Sequence, residues 1–331
     1  MSMIFSNSIQ RRPVYVIGHL SRDLIGETGE NFQMGGPPAY IGIQLARLAI
    51  PVTVITKLPE SDPYLQELKM AGVSLINLAI NDPEKRNYVT TFINKYDQSG
   101  KRTQMVKNVQ EKITLADLRK ANIDIPEKAR IVMAPLMDEI TPEVYRELGQ
   151  EYEMIIAPQG HFRYIDKHSE TTDGFYPVKR RSWENHKVIS RENMVVLSRD
   201  DVDFSGGDQM LKKLREQSDF VILTKGQEGS TVFSGLDTLA VPAFHLEEHE
   251  EIDFTGTGDV FTAGIVAFNN IRRASLLAAI KIAKNYQEGA LSVPHAEDFW
   301  RFLSEHHGYK EYLAELRALP DQRGSHRELY P

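Results

Sequence analysis

A chain of 331 residues, 41% apolar and 26% charged, is long enough for one large domain or two small ones and has the balance of a globular protein. Its formal net charge of −7 argues against a general nucleic-acid binder, which needs a basic face. The lack of cysteine excludes disulfides and thiolate metal sites, and no apolar run approaches the ~18 residues of a membrane span.

The first stretch, MSMIFSNSIQRR, lacks the apolar core and small-residue cleavage site of a secretory signal, so a cytoplasmic location is expected. PVYVI at 13–17 predicts a short buried strand ending at Gly18. HLSRDLI follows, with Asp23 reading by itself as a solvated loop carboxylate. In MGGPPAYIGIQLARLA, Gly35 and Gly36 permit close approach of backbone to a ligand, and Pro37 and Pro38 stiffen the start of a helix. Ile41, Leu45 and Leu48 then share the core face of that helix. Residues 52–56 and 73–80 read as strands on either side of a helix at 63–70. This alternation predicts a mainly parallel sheet with helices on both faces. Residues 86–93 and 102–106 interrupt it and read as a β-hairpin turning through Asp97-Gln-Ser-Gly100. Half of NYVTTFI is polar, as in a small sheet with one wet face.

From residue 113 the alternation resumes, with a helix in ITLADLRKA, a strand at 129–135, a helix at 141–149 and a strand at 153–158. Sites in such sheets lie beyond the carboxyl ends of strands, so Gln159-Gly160-His161-Phe162-Arg163 is expected to face a cleft. Arg163 would bind a substrate hydroxyl or phosphate there, or form a structural salt bridge. Residues 166–193 are polar and irregular apart from Trp183, and Lys179-Arg180-Arg181 reads as a solvated basic run. A strand at 194–197 leads into Ser198-Arg-Asp-Asp201, whose carboxylates suit either magnesium or a helix N-cap. FVILTKGQEGSTVF at 220–233 is a strand, a glycine turn and a second strand. His245-Leu-Glu-Glu-His249 formally fits an inverted zinc pattern, which needs a helix. The strand-like AVPAF before it and the turn after it leave little room for one, so zinc is not expected. Two helical runs after Gly264 are expected to cover one face of the sheet, with one or two terminal helices across 299–319.

The stretch richest in chemistry is DFTGTGDVFTAG at 253–264. Gly256 and Gly258 let successive N–H groups converge at the start of a helix, where unpaired donors and the positive dipole end attract anions. Asp259 sits inside that turn, either as an ordinary first-turn acid or as a carboxylate that takes a proton from a hydroxyl during phosphoryl transfer. A Walker-type GxxxxGK[ST] loop is absent, and GTGDVF fails the dinucleotide fingerprint because Phe261 stands where the third glycine belongs.

DFTGTGDVFTAG resembles the DTTGAGD signature of the ribokinase, or PfkB, family of carbohydrate kinases. Asp253, Thr255, Gly256, Gly258 and Asp259 match it, while Phe254 and Thr257 depart. The resemblance spans about residues 14–294. It implies a ribokinase-like α/β fold, in which a doubly wound, mainly parallel sheet carries helices on both faces and a small β lid. The expected organisation is a single domain over 1–331, with lid segments at about 19–36 and 84–108 and a terminal helical extension at 295–331. Exposed lid edges would allow a homodimer; neither nucleic acid nor a membrane is an expected partner.

The resemblance also implies roles. Asp259 would be the catalytic base, and the amides of Gly256, Thr257 and Gly258 the anion hole. Asp23 would bind substrate hydroxyls beside Gly35 and Gly36 of the amino-terminal glycine motif. Tyr40 replaces an Asn that usually contacts the sugar; its ring either receives a ring-bearing substrate or packs beneath the lid. Asp201 falls near the acidic position of a magnesium-organising Asn-x-x-Glu motif whose Asn is Ser198 here. Thr224, Lys225, Gly226 and Gly229 match the nucleotide-side loop, although a plain turn would use the same residues. The implied activity is ATP-dependent transfer of the γ-phosphate, with Mg2+, to a hydroxyl of a small sugar, cyclitol or nucleoside. GGPPAY and APQGHFR look more like the inositol-kinase branch than ribokinase or fructokinase. A non-catalytic sugar or nucleotide sensor on the same fold is the alternative.

Overall fold

The computed structural model describes residues 11–25, 31–96, 102–204, 207–244, 254–288 and 292–305. The chain begins with β1 (Val14–Ile17), β2 (Ser21–Ile25), β3 (Asn31–Gly35), α1 (Pro37–Arg47), β4 (Val52–Thr56), α2 (Tyr64–Met70) and β5 (Ser74–Asn77). Next come β6 (Thr90–Tyr96), β7 (Arg102–Lys107), α3 (Leu115–Lys120), β8 (Arg130–Met133), α4 (Pro142–Leu148), β9 (Glu153–Ile156), β10 (Arg163–Ile165) and β11 (Tyr176–Arg180). The last part holds β12 (Met194–Ser198), α5 (Arg199–Phe204), α6 (Asp208–Gln217), β13 (Phe220–Thr224), β14 (Ser230–Ser234) and β15 (Asp237–Val241). It continues through α7 (Thr257–Phe268), α8 (Ile271–Glu288) and α9 (Ala296–Glu305).

Nine strands form one sheet in the order β15-β14-β13-β12-β9-β8-β1-β4-β5, with every pairing parallel except the two that β14 makes, with β13 and β15. Its central strands are apolar at nearly every position, and alternation sends their side chains to two separate cores. Val16, Val54, Val132, Ile155, Val196 and Ile222 face one core, completed by α1, α2, α7, α8 and α9. Ile17, Ile55, Ile131, Ile156, Leu197 and Leu223 face the other, beneath α3, α4, α5 and α6. Each such buried side chain contributes about 1.5–3 kcal/mol. The doubly wound α/β sheet expected from the sequence is present.

Local chemistry starts the helices where the sheet needs them. Pro37 and Pro38 occupy the first turn of α1, where their missing N–H groups leave no helical bond unmade. Thr114 and Asp117 form a capping box on α3, each side chain bonding the other's backbone N–H. Gly264 lets α7 and α8 close up, since a Cβ there would lie 2.7 Å from the Ala274 Cα.

The second sheet, β10-β11-β7-β6-β2-β3, contains the segments expected as a lid and is larger than the sequence suggests. SRDLI forms β2 instead of a loop, paired with β3 on one side and β6 on the other. The expected hairpin is the β6/β7 pair, with its first strand starting at Thr90 instead of residue 86; its turn at 97–100 lies outside the described residues. The polar run 166–193 contributes β11, which joins the lid through β7. Lys179, Arg180 and Arg181 are therefore not a bare solvated run: each pairs with a carboxylate, Asp166 at 2.6 Å, Asp201 at 2.7 Å and Asp138 at 2.6 Å. His245–His249, Asp253 and everything after Glu305 lie outside the described residues. Among the described residues, no helix is long and apolar enough to cross a membrane.

Candidate active site

A cleft of about 1530 Å³ lies between the lid strands and the carboxyl ends of β9, β12 and β13. Asp23, Asn94 and Gln104 line it from the lid. Gln159, Arg163, Thr224 to Gly229 and the 254–259 turn line it from the sheet side.

The turn is built around Gly256, which caps α7 in the left-handed region at φ 73°. Its carbonyl accepts from the Val260 N–H at 2.9 Å, closing the first helical turn. The Thr257 N–H donates to the Phe254 carbonyl at 3.1 Å, so this amide helps to close the turn, although the sequence assigned it to the anion hole. Gly258 and Asp259 occupy the next positions of the first turn, where a helix offers their N–H groups no acceptor. The buried Thr257 Oγ1 has no hydrogen-bond partner. An oxyanion at this place would satisfy all three groups, so the turn fits a phosphate.

The two glycines of the turn differ in role. A positive φ belongs to Gly256, whereas Gly258 is helical, and a Cβ added to it would meet nothing within 4 Å. The space in front of it is cleft. Gly258→Val should fold as the wild type does but place its branches where a donor phosphate would sit, raising donor KM about tenfold or more. Steady-state kinetics with a melting curve checks this, and an unchanged donor KM would remove Gly258 from the phosphate site.

Asp259 reaches the cleft from the first turn of α7 and is half-buried. Burial pushes its carboxyl up to about 7, opposed by the positive charges of Arg163 and Lys281 and assisted by the negative charges of Asp201 and Asp23. A carboxylate that titrates near neutrality is suited to take and return a proton.

Asp23 projects from β2, where its Oδ1 accepts from Ser21 Oγ at 2.7 Å. Gly35 makes room for it, because a Cβ there would stand 2.2 Å from Asp23 Oδ2. Gly36, at φ 92°, turns the chain from β3 into α1. Of the 159–163 run, Gln159 and Arg163 line the cleft, while Gly160, His161 and Phe162 are buried. His161 anchors this turn, bonding Tyr145 Oη and Asp138 Oδ1 at 2.6 Å each and stacking on Trp183 at 4.5 Å. Arg163 is 5% exposed, and its Nη1 donates to the Leu136 carbonyl at 3.4 Å. In the 224–229 loop, Gly226 at φ 57° opens onto the cleft. Gly229 is required by packing, since its Cβ would stand 2.2 Å from the Val241 carbonyl oxygen. Lys225 closes the loop by donating its N–H to the Gly229 carbonyl at 2.7 Å, and Thr224 Oγ1 donates to the Leu197 carbonyl at 3.3 Å.

Two sequence expectations change. Tyr40 is 3% exposed and packs beneath the phosphate turn, not beneath the lid. A Cβ on Gly256 would be 2.6 Å from the Tyr40 ring, and the Lys281 ammonium lies 5.4 Å from the ring centroid. Tyr40 still lines the cleft, but its ring packs against Gly256 with the Lys281 ammonium over it. Asp201, expected as a metal ligand, holds Arg180 at 2.7 Å through Oδ1 and accepts from Ser198 Oγ at 2.7 Å through Oδ2. The Ser198 hydroxyl in turn accepts the Asp201 N–H at 3.2 Å, the helix-capping use of these residues. Asp200 and Asp203, not Asp201, line the cleft. Among the described residues, no group of three His, Asp or Glu side chains is placed to hold a metal. Carboxylates alone at the wall still suit a magnesium ion carried chiefly by donor phosphates.

Lys281 and Asn285 are the site residues that sequence reasoning missed. The signal was a lysine within the apolar run LLAAIKIA, one turn after Leu277 and one turn before Asn285.

Residues 193–291, which include β12 to α8 and the phosphate turn, match the family model described as pfkB family carbohydrate kinase. This carboxyl-terminal part of the chain is thus similar to the PfkB carbohydrate kinases. No curated protein sequence matches it. Among solved structures it is similar to a pyrophosphate-dependent kinase in the ribokinase family complexed with a pyrophosphate analog and myo-inositol, at 20% identity and TM-score 0.64, covering 87% of this chain and 99% of that one. It is also similar to Arabidopsis thaliana ribokinase complexed with ribose and ATP, at 16% identity and TM-score 0.59, covering 89% and 99%. Fructokinase from Vibrio cholerae O395 matches at 18% identity and TM-score 0.62, again covering 89% and 99%. These likenesses establish the ribokinase fold.

Proposed function

We propose that this chain is a PfkB-type kinase and transfers the γ-phosphoryl group of ATP to a hydroxyl of a small polyhydroxylated acceptor, with Asp259 as general base. The carrying observation is Asp259 itself: a carboxylate raised to about 7, on the first turn of a helix whose start fits a phosphate. The acceptor would lie under the lid, where Ser21, Asp23, Asn94, Gln104 and Gln159 present the mixed donors and acceptors that hydroxyls require. Asp259 takes the acceptor proton as the new O–P bond forms and the bond to the leaving phosphate breaks, and the α7 turn stabilises the charge in transit. Magnesium, when bound, neutralises the donor phosphates. The lid would exclude water that could otherwise intercept the phosphoryl group.

Donor and acceptor identity are the finer part of the reading. One similar structure is described with a pyrophosphate analog and myo-inositol, another with ribose and ATP. Here the cleft continues past the 224–229 loop along Ala243, Phe244, Ala278, Ala279 and Ile282, an apolar wall that suits a nucleobase. A nucleotide donor and a cysteine-free chain both suit the cytoplasm. ATP should therefore exceed pyrophosphate in kcat/KM by about tenfold or more, which is about 1.4 kcal/mol of added binding. The resemblance of GGPPAY and APQGHFR to the inositol-kinase branch puts myo-inositol first among acceptors, or else a nucleoside such as adenosine, ahead of ribose and fructose. A panel of two donors against those four acceptors tests both choices, and preference for pyrophosphate would show that the apolar wall holds no base.

A further inference from the structure

Lys281 is 0% exposed, set back from the cleft on α8 behind the phosphate turn. Three contacts tie it to that turn. Its ammonium lies over the Tyr40 ring at 5.4 Å, and the same ring lies against Gly256. It donates a hydrogen bond to Asn285 Oδ1, one helical turn away. Asn285 Nδ2 donates in turn to the carbonyl of Thr255, the residue before Gly256, at 3.0 Å. A fully buried ammonium is costly unless the fold uses or compensates its charge. An apolar residue would fill the same space in an otherwise apolar run at less cost.

We infer that Lys281 is a positioning residue, a cation sealed beneath the phosphate turn that braces it through Tyr40 and Asn285 and adds fixed positive potential where the transferring phosphate sits. The inference rests on the phosphotransferase reading above. Because the side chain is buried, it acts through the field and the turn, not by touching substrate. Four charged groups influence Asp259: Arg163 and Lys281 favour its carboxylate, and Asp201 and Asp23 oppose it. Removing Lys281 therefore also makes the base harder to ionise.

Lys281→Met, close in length and without charge, tests this in the full chain. The expected result is a kcat lowered about 10- to 100-fold. Acceptor KM should stay within about threefold, and the acid limb of the pH–rate profile should move upward by about one unit. Lys281→Arg, which keeps the charge, should recover part of the rate. A folded Lys281→Met with wild-type kcat and an unmoved limb overturns the inference, as does Lys281→Arg losing as much as Met. If Lys281→Met does not fold, Asn285→Ala keeps the charge and cuts the tether to Thr255. A lowered kcat there supports the inference, and an unchanged one overturns it. Asp259→Asn retaining activity would instead remove the phosphotransferase reading on its own.

Discussion

Asp259→Asn should lower kcat by about 10²–10⁴-fold while leaving the fold intact, because the amide keeps the shape of the carboxylate but cannot accept the acceptor's proton. The same substitution should make the protein more stable at neutral and mildly alkaline pH. The Asp259 carboxyl titrates at about 7 in the folded chain, against 3.8 for an unperturbed group. Between those values the folded state binds more protons than the unfolded state, so Asp259 makes stability fall as pH rises through the window. Asparagine removes that loss. Melting temperatures of wild type and variant should therefore converge near pH 4 and separate by pH 8, with the variant higher. The wild-type kcat/KM should rise through an ionisation near pH 7, since only the carboxylate form acts as base. A variant that keeps activity within a few-fold, or melts lower at pH 8, would show that Asp259 is not a buried functional carboxylate.

Gly256→Ala should have a large effect for a single-methyl change in the site. Alanine at φ 73° costs about 1–2 kcal/mol in backbone energy. Its Cβ would also stand 2.6 Å from the Tyr40 ring, which cannot retreat because Lys281 and the core lie behind it. Overpacking of that kind adds about 1–3 kcal/mol. Either the turn or the ring must move, and both hold the phosphate position. We expect a melting temperature lower by several degrees and a kcat lower by about tenfold or more. Gly258→Ala, with open space in front of it, is the matched control for the cost of losing a glycine. Equal behaviour of the two variants would remove the special role of Gly256.

The sheet was legible because it is encoded locally. VYVI, VTVIT, RIVM and FVILT are short apolar runs separated by helical periodicity, and each is a strand buried on both faces. The phosphate turn was legible for a similar reason, since its glycines and acid lie within a few consecutive residues. What the sequence hid depends on distant partners. The polar strand β11 is recognisable only once β7 is beside it, and β2 looks like a loop until β3 and β6 pair with it. Tyr40 reads as a substrate contact because Gly256, 216 residues further on, is what covers its ring. Asp201 reads as a magnesium ligand or a capping residue because its partner Arg180 lies within an apparently irregular stretch. Lys281 reads as one more helical lysine until Tyr40 and Asn285 enclose it.

The central claim is that this cleft makes a phosphate ester and does not merely bind sugar and nucleotide. Phosphorus NMR of the wild-type chain, incubated with ATP, magnesium and the acceptor panel, observes that product directly. The account predicts a new phosphomonoester signal growing in step with ADP and appearing only when acceptor is present. Tight binding of acceptor and nucleotide with no new ester, or ATP consumed to inorganic phosphate alone, would contradict it.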